Sequence, residues 1–335
     1  MSRVELFDRF GQKVTEFTAN ADRSWLMNDY GRCLFTMSTY DAKCIENYLQ
    51  YGNYVYIEHE KLPAWGGVID PPREWGRHKV EITAYYGEYI FSFRRAEGAQ
   101  RINATPGVIF QRILSICNAE GDTRIREGEI YTQGKPVRWQ LNVLKCYQEV
   151  KRLAEETNSE WTVRAKTRSG EIRFLADWSI KLGLTRNFLL KEGHNIKADD
   201  RVIIEDGQIA NDVLGISPGA SPISARNVFV KDEKSIGAYG LRQWAESFQQ
   251  NEYGSVAEGA NAVLQRMKEP VKTFRLSALD VGDTWKNLDI GDVLKLYMSN
   301  IGFNNGQLGT DTDVRINSMT FVEDENILEL ETVEQ

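Results

Sequence analysis

The sequence predicts an α+β fold, mainly β, in which two related β-modules stand at the ends of the chain with an α/β segment between them. Three observations carry that reading. Short alternating apolar runs bounded by turn residues fill both ends; helical periodicity takes over after Arg95; and one strand entrance near the N-terminus has an echo near the C-terminus. The first copy is Leu49-Gln-Tyr-Gly52-Asn53, leading into Tyr54 to His59, where Val55 and Ile57 alternate with Tyr54, Tyr56 and Glu58. The second is Leu288-Asp-Ile-Gly291-Asp292, leading into Val293 to Leu296. Each is followed by a second strand (Gly67 to Asp70; Val314 to Val322) and a third (His78 to Tyr85; Ile327 to Val333). Glycine at the entrance permits a positive φ, and Asn or Asp after it can bond nearby backbone, so this pair of residues sets strand register locally.

In chain order, Val4 to Phe7 and Val14 to Phe17 form a strand-turn-strand opening about Phe10-Gly11. Ser24 to Met37 is a second hairpin, turning at Asn28-Asp29-Tyr30-Gly31 and placing Cys33, Phe35 and Met37 on one face. Asp41 to Gln50 is expected to be a short helix capped by Asp41. The echoing strands follow, and Tyr89 to Arg95 closes the module as a small barrel or sandwich. Next, Thr105-Pro106 starts a helix along Ile109, Ile113, Ile116 and Cys117. A second helix is expected from Trp139 to Glu156, then two strands, Trp161 to Ala165 and Glu171 to Leu175, about a Ser-Gly turn. Arg201 to Ile204, Ile209 to Ile216 and Arg226 to Val230 read as strands that join the second module, with the helical piece after them inserted into it. That piece includes a helix of Val256, Ala260, Val263, Leu264 and Met267 with a capping box of Ser255 and Glu258, stopping before Pro270.

The chain has 335 residues, enough for two or three cores, and its 14 Tyr, 14 Phe and 8 Trp supply ample interior. A net charge of −7 argues against a protein that grips nucleic acid through phosphates, while leaving open a surface that nucleic acid slides past. No apolar run approaches the roughly 20 residues that span a bilayer, and the start lacks a signal-peptide core, so a soluble product made in a cytoplasm is expected. Four scattered cysteines, Cys33, Cys44, Cys117 and Cys146, with no Cys-x-x-Cys, read as buried or neutral thiols and not as metal ligands or disulfides.

Catalytic patterns are missing, so the expectation is a protein that is not an enzyme, with no catalytic, cofactor-binding or metal-binding residues and no cofactor. His59 and His78 read as solvated or paired surface imidazoles; His194 near Asp199 and Asp200 is a weak metal candidate. Asp199-Asp200, Glu205-Asp206 and Glu323-Asp-Glu325 read as solvated turn faces. The aromatic richness of the first module could suit a glycan platform. Tyr54 and Tyr56 lie opposite Val55 and Ile57, however, so that strand should be covered on both faces by a neighbouring domain or subunit.

Taken together, Trp25 through Asn28-Asp29-Tyr30-Gly31, Tyr51-Gly52-Asn53, Trp65-Gly66-Gly67-Val68-Ile69, Asp206-Gly207 with Ile209-Ala210-Asn211-Asp212-Val213, Ser235-Ile236 with Tyr239-Gly240, the Val256 to Met267 helix, and Leu288 with Gly291-Asp292 appear in a familiar order. In that order the chain resembles the tail-tip or baseplate hub proteins of tailed bacteriophages and contractile injection systems. The resemblance implies two tail-tube-like β-barrel domains, residues 1–97 and residues 196–231 with 270–335, and a lateral α/β domain of residues 98–195 with 232–269. It implies a structural virion protein: a homotrimer whose barrels form a pseudo-sixfold ring at the tail tip. That ring would join a tail tube or distal tail ring to a spike or fibre protein, with DNA passing through its lumen without specific binding. Many relatives continue into hydrolase, peptidase or fibre regions; this sequence ends at Gln335, and such activities are expected from a partner. The competing expectation is a carbohydrate-binding or carbohydrate-cleaving β-rich virion or secreted protein.

Overall fold

The computed structural model describes residues 1–96, 101–142, 144–217, 227–248, 256–282, 285–304 and 307–335. The first module contains β1 (Ser2–Phe7), β2 (Lys13–Ala19), β3 (Ala21–Leu26), β4 (Arg32–Ser38), β5 (Tyr54–His59), β6 (Leu62–Trp75) and β7 (Lys79–Tyr86). They hydrogen-bond in the order β3-β4-β7-β6-β5-β1-β2, every neighbour antiparallel. The helix expected over Asp41 to Gln50 is absent: that stretch is a series of turns. Asp41 Oδ1 accepts the amide of Lys43 at 2.8 Å, closing a tight local turn in place of a helix cap, and only Leu49 on this stretch is buried apolar surface. Tyr89 to Arg95 likewise does not add a strand; it falls on a 3-10 helix, Gly87–Phe93.

The α/β segment follows as β8 (Arg101–Ala104), α1 (Pro106–Ala119), β9 (Ile125–Ile130), β10 (Val137–Gln140), α2 (Cys146–Thr157), β11 (Glu160–Arg168) and β12 (Glu171–Ser179). Helix α1 has proline in its first turn, where no amide is needed, and buries Ile109, Phe110, Ile113, Leu114 and Cys117. The second helix begins at Cys146, not Trp139, because Trp139 pairs with Ile102 in the β8–β10 ladder. The β11–β12 hairpin turns at Ser169 and Gly170, both at positive φ, as the Ser-Gly pair suggests. Its Trp161, Phe174 and Trp178 are sealed against α1, each such ring contributing about 1.5–3 kcal/mol by burial.

The remaining strands are β13 (Thr185–Lys191), β14 (Ile196–Asp206), β15 (Asp212–Ile216), β16 (Val228–Lys231), β17 (Gln243–Ser247), β18 (Val271–Ala278), β19 (Val293–Asn304), β20 (Gln307–Val322) and β21 (Ile327–Glu334). Between them lie α3 (Glu233–Tyr239) and α4 (Val256–Met267). Strands β14, β18, β21, β20, β19 and β13 pair in that order. Two sequence assignments need correction here. Strands β15 and β16 do not join the second module: they pair with each other and with β17 and pack on α4 around Val213, Phe248, Ala260 and Leu264. Conversely β13, assigned to the lateral portion, runs parallel to β19 in the second module. Alternation reveals that a segment is a strand but says nothing of its partner. Ser255, proposed as the cap of α4, lies outside the described residues.

The two modules share strand order. In the first, β3-β4-β7-β6-β5 is a run of antiparallel neighbours; in the second, β14-β18-β21-β20-β19 repeats it. The run is extended by β1 antiparallel to β5 in one case and by β13 parallel to β19 in the other. The modules are also continuous, because β20 pairs with β3, giving a 13-stranded sheet. One apolar core runs through both, from Phe35, Trp65 and Ile82 to Phe274, Leu294 and Phe321.

Candidate assembly interface

The echo is reproduced atom by atom at the two strand entrances. Gly52 has φ +87° and Gly291 has φ +88°, a conformation that favours glycine. The amide of Gly52 donates to Ile69 O (2.9 Å) and that of Ile69 to Asn53 O (2.8 Å). The amide of Gly291 donates to Ile316 O (2.9 Å) and that of Ile316 to Asp292 O (2.9 Å). Asn53 N–H reaches Gln50 O and Asp292 N–H reaches Asp289 O, each at 3.1 Å. Both side chains are buried. Asn53 Nδ2 donates to the carbonyls of Asn47 and Tyr48, whereas Asp292 accepts from the amides of Leu184 (2.7 Å) and Asp289 (2.9 Å) and from Arg186 Nε (2.7 Å). Asp292→Ala leaves these donors without an acceptor and is expected to lower stability by about 1–3 kcal/mol in urea unfolding. Asn53→Ala, which removes the side-chain donor shared by the Asn47 and Tyr48 carbonyls, should cost about 1 kcal/mol.

The seam between the modules is a ladder of Ser318 opposite Leu26, Met319 opposite Trp25, Thr320 opposite Ser24 and Phe321 opposite Arg23. At its end sits a buried ion pair, Arg23 Nη1 to Glu323 Oε2 at 3.3 Å. Glu323 also accepts from Ser2 Oγ (2.7 Å) and the amide of Ala21 (3.0 Å), and its Oε1 lies 3.1 Å from the N-terminal ammonium. Burial works to raise this carboxyl, but those donors and the Arg23 charge outweigh it and hold it below the ordinary range. Arg23, lowered chiefly by burial, lies 5.1 Å from the Phe321 ring centroid. Glu323, expected to be a solvated turn residue, is therefore the carboxylate of the seam.

The α/β segment is clamped to both modules. On the first, the turn at Asn28-Asp29-Tyr30-Gly31 grips it: Asn28, at φ 56°, accepts the amide of Trp161 (2.9 Å) and donates to Ser159 O (3.2 Å). Asp29 accepts from Tyr147 Oη and forms an ion pair with Lys151 at 2.8 Å. Tyr54 and Tyr56 face this segment, with the Tyr54 ring 5.3 Å from Phe174, so the cover expected on their face comes from the same chain. Gly66 is required there, since a Cβ would stand 2.2 Å from the Ala165 Cβ. On the second module, Arg315 makes a two-pronged ion pair with Glu160 at 2.7 and 2.5 Å. Two further motifs converge away from the seam: buried Asn211 donates to Ser235 Oγ (3.2 Å) and Gly240 O (2.8 Å) and accepts the amide of Arg242 (2.7 Å).

The residues considered for chemistry are dispersed. His59 accepts the amide of Lys61 at 3.2 Å and is lowered by burial; His78 Nδ1 meets Tyr40 Oη at 2.9 Å; His194 is exposed, and the side chains of Asp199 and Asp200 lie outside the described residues. All four cysteines are free. Among the described residues no group of three or more His, Cys, Asp or Glu could hold a metal ion. No helix among them is long and apolar enough to cross a membrane. A cleft of about 630 Å³ separates the α/β segment from the second module. Two of the carboxylates that line it serve as structural acceptors: Asp177 takes the amide of Glu129 and Arg164 Nε (both 2.6 Å), and Asp292 is held as described.

No family model matches the chain, and no curated protein matches it in sequence. Solved structures do. A prophage MuSo2 43 kDa tail protein from Shewanella oneidensis aligns over 99% of this chain and 98% of its own with a TM-score of 0.66 at 16% identity. Prophage tail protein gp18 from Listeria monocytogenes EGD-e aligns over 99% and 94% with a TM-score of 0.64 at 12% identity. An E. coli protein, c3393, described as a type VI secretion component structurally similar to T4 tail proteins gp27 and gp5, aligns over 95% of this chain and 73% of its own. Its TM-score is 0.57 at 10% identity. Such identities establish the architecture: from end to end, the chain has the fold shared by tailed-phage tail proteins and this secretion-system component, as the order of its sequence motifs implies.

Proposed function

We propose that the chain is a non-enzymatic structural protein of a phage tail or related injection machine, acting as a hub at the tail tip. Three copies form a ring of six quasi-equivalent modules that connects a sixfold tube or distal tail ring to a threefold spike or fibre. The observation that carries this is the repeated strand order, with one module joined edge to edge to the next through β3 and β20. A polypeptide that already holds two like modules side by side needs only three copies to present six similar surfaces. Residues 1–97 and the strands pairing with β18 to β21 supply the tube-like modules, and the α/β segment lies lateral to them. The charge of −7 suits a lumen through which DNA slides without sticking. The carbohydrate reading draws less support, since Trp25, Tyr54, Tyr56 and Trp65 are packed inside and the exposed rings of the first module are reduced to such residues as Tyr40, Tyr51 and Trp75.

The test is mass and shape. Light scattering on the purified protein is expected to give a concentration-dependent trimer, and end-on negative-stain images a ring with a central hole. A monomer at every concentration that releases or binds sugars would overturn the proposal.

A further inference from the structure

The seam inside the chain predicts the seam between chains. Strand β20 is used twice along one edge: its first half pairs with β19 and its second half with β3. Its counterpart β6 pairs with β5 through Val68, but beyond Ile69 its only strand partner among the described residues is β7. The counterpart of β3 is β14, which ends the sheet; among the described residues its only ladder is with β18, apart from one isolated bridge at its start between Ile196 and Glu192. Each chain thus carries one satisfied seam and the two unsatisfied halves of an equivalent one. An open strand edge invites pairing.

The register of the missing seam can be read off the ladders. Ile69 and Ile316 correspond through their shared bonds to the Asn53 and Asp292 carbonyls, and a bulge follows each. Past the bulge, Arg73 lies opposite Ile82 as Met319 lies opposite Leu330, and Trp75 opposite Val80 as Phe321 opposite Leu328. On the other side, Arg23 lies opposite Cys33 as Ile203 lies opposite Phe274, so Trp25, two residues on, corresponds to Glu205. Transferring Met319–Trp25 and Phe321–Arg23 places Arg73 against Glu205 and Trp75 against Ile203.

We propose that β6 of one copy, from Arg73 to Trp75, pairs antiparallel with β14 of a second copy in this register. This deepens the ring reading and rests on it. The chemistry of the transferred pairs is complementary although nothing in the transfer required it: a cation meets an anion, and an indole meets an aliphatic side chain. Trp75 is 64% exposed in the single chain, and Glu205 is exposed. Arg73 donates from its Nη2 to Leu49 O and lies 4.6 Å from the Tyr51 ring centroid, while its Nε is buried and without a hydrogen-bond partner among the described residues. The seam brings Arg73 a counter-charge in addition to its contacts with Leu49 and Tyr51, and gives Trp75 an apolar cover.

Trp75→Cys and Ile203→Cys, made singly in a Cys44→Ser background, test the register. Directly opposed strand residues have Cβ atoms about 4.5–5.5 Å apart, near disulfide reach. Mixed and mildly oxidised, the two variants are expected to form a covalent dimer that neither forms alone, and the double variant a covalent closed trimer. Glu205→Arg should raise the concentration for half-assembly about tenfold or more, and adding Arg73→Glu should reverse that. Circular dichroism on each variant identifies any that fails to fold, and the cysteine pair does not depend on the charge swap. Assembly by light scattering without the mixed cross-link overturns this seam and leaves the ring standing. A wild-type chain that stays monomeric at every concentration and never cross-links overturns the ring and the seam together.

Discussion

Glu323→Ala is expected to lower stability by about 3–5 kcal/mol, because it leaves the Arg23 guanidinium buried at the seam with its counter-charge gone. The same change removes the acceptor for Ser2 Oγ and the Ala21 amide and the partner of the N-terminal ammonium. Arg23→Met is milder, about 1–3 kcal/mol, since Glu323 retains those other donors. The double variant Arg23→Met with Glu323→Leu should cost clearly less than the two single losses added together, as a paired charge replaced by apolar volume avoids the stranded ion. Urea unfolding followed by tryptophan fluorescence reads all three, and Trp25 stands in the seam to report it. The carboxyl is held below its unfolded value, so its contribution is present above about pH 4.3 and fades as pH falls through the lower folded value. A Glu323→Ala loss under about 1 kcal/mol would mean that the seam is held by its strands and core alone.

What was legible in the sequence is what neighbouring residues decide. Gly52-Asn53 and Gly291-Asp292 encode their corners through one positive φ and one short polar side chain, and both corners formed with matching hydrogen bonds. The hairpin turns at Asn28 to Gly31 and at Ser169-Gly170 were equally local. Illegible were the choices made across hundreds of residues. The seam joins β3 to a strand near the other end of the chain, and no pattern within either strand names the other. For the same reason β15 and β16 read correctly as strands and were assigned to the wrong sheet. Glu323 read as a solvated turn acid because its partners, Ser2, Ala21 and Arg23, are distant in sequence. The helix expected at Asp41 failed on a contest between two local options, which the turn won.

A second large effect should appear with pH at Glu88, in the first turn of the 3-10 helix that leads from the first module into the α/β segment. Its Oε1 accepts from Thr162 Oγ1 (2.9 Å) and the amide of Val163 (2.8 Å), while Oε2 is buried without a partner among the described residues. Burial raises this carboxyl to about 8, against about 4.3 in an unfolded chain. Between those values the folded chain holds a proton that the unfolded chain has released, so stability falls as pH rises across the window. The contribution is complete below about pH 4.3 and is lost as pH climbs through the folded value. Glu88→Gln keeps an oxygen for Thr162 and Val163 and carries no charge to bury. It should match the parent chain within about 1 kcal/mol near pH 5 and exceed it by about 3–5 kcal/mol at pH 8 to 9. Because Thr162 and Val163 belong to β11, the loss in the parent chain should first loosen the contact between the helix and that strand. Hydrogen exchange at the Val163 amide, compared between the two chains at pH-corrected rates, would show it. Equal stability of the two chains across the whole range would mean that the carboxyl is neither buried nor protonated as described.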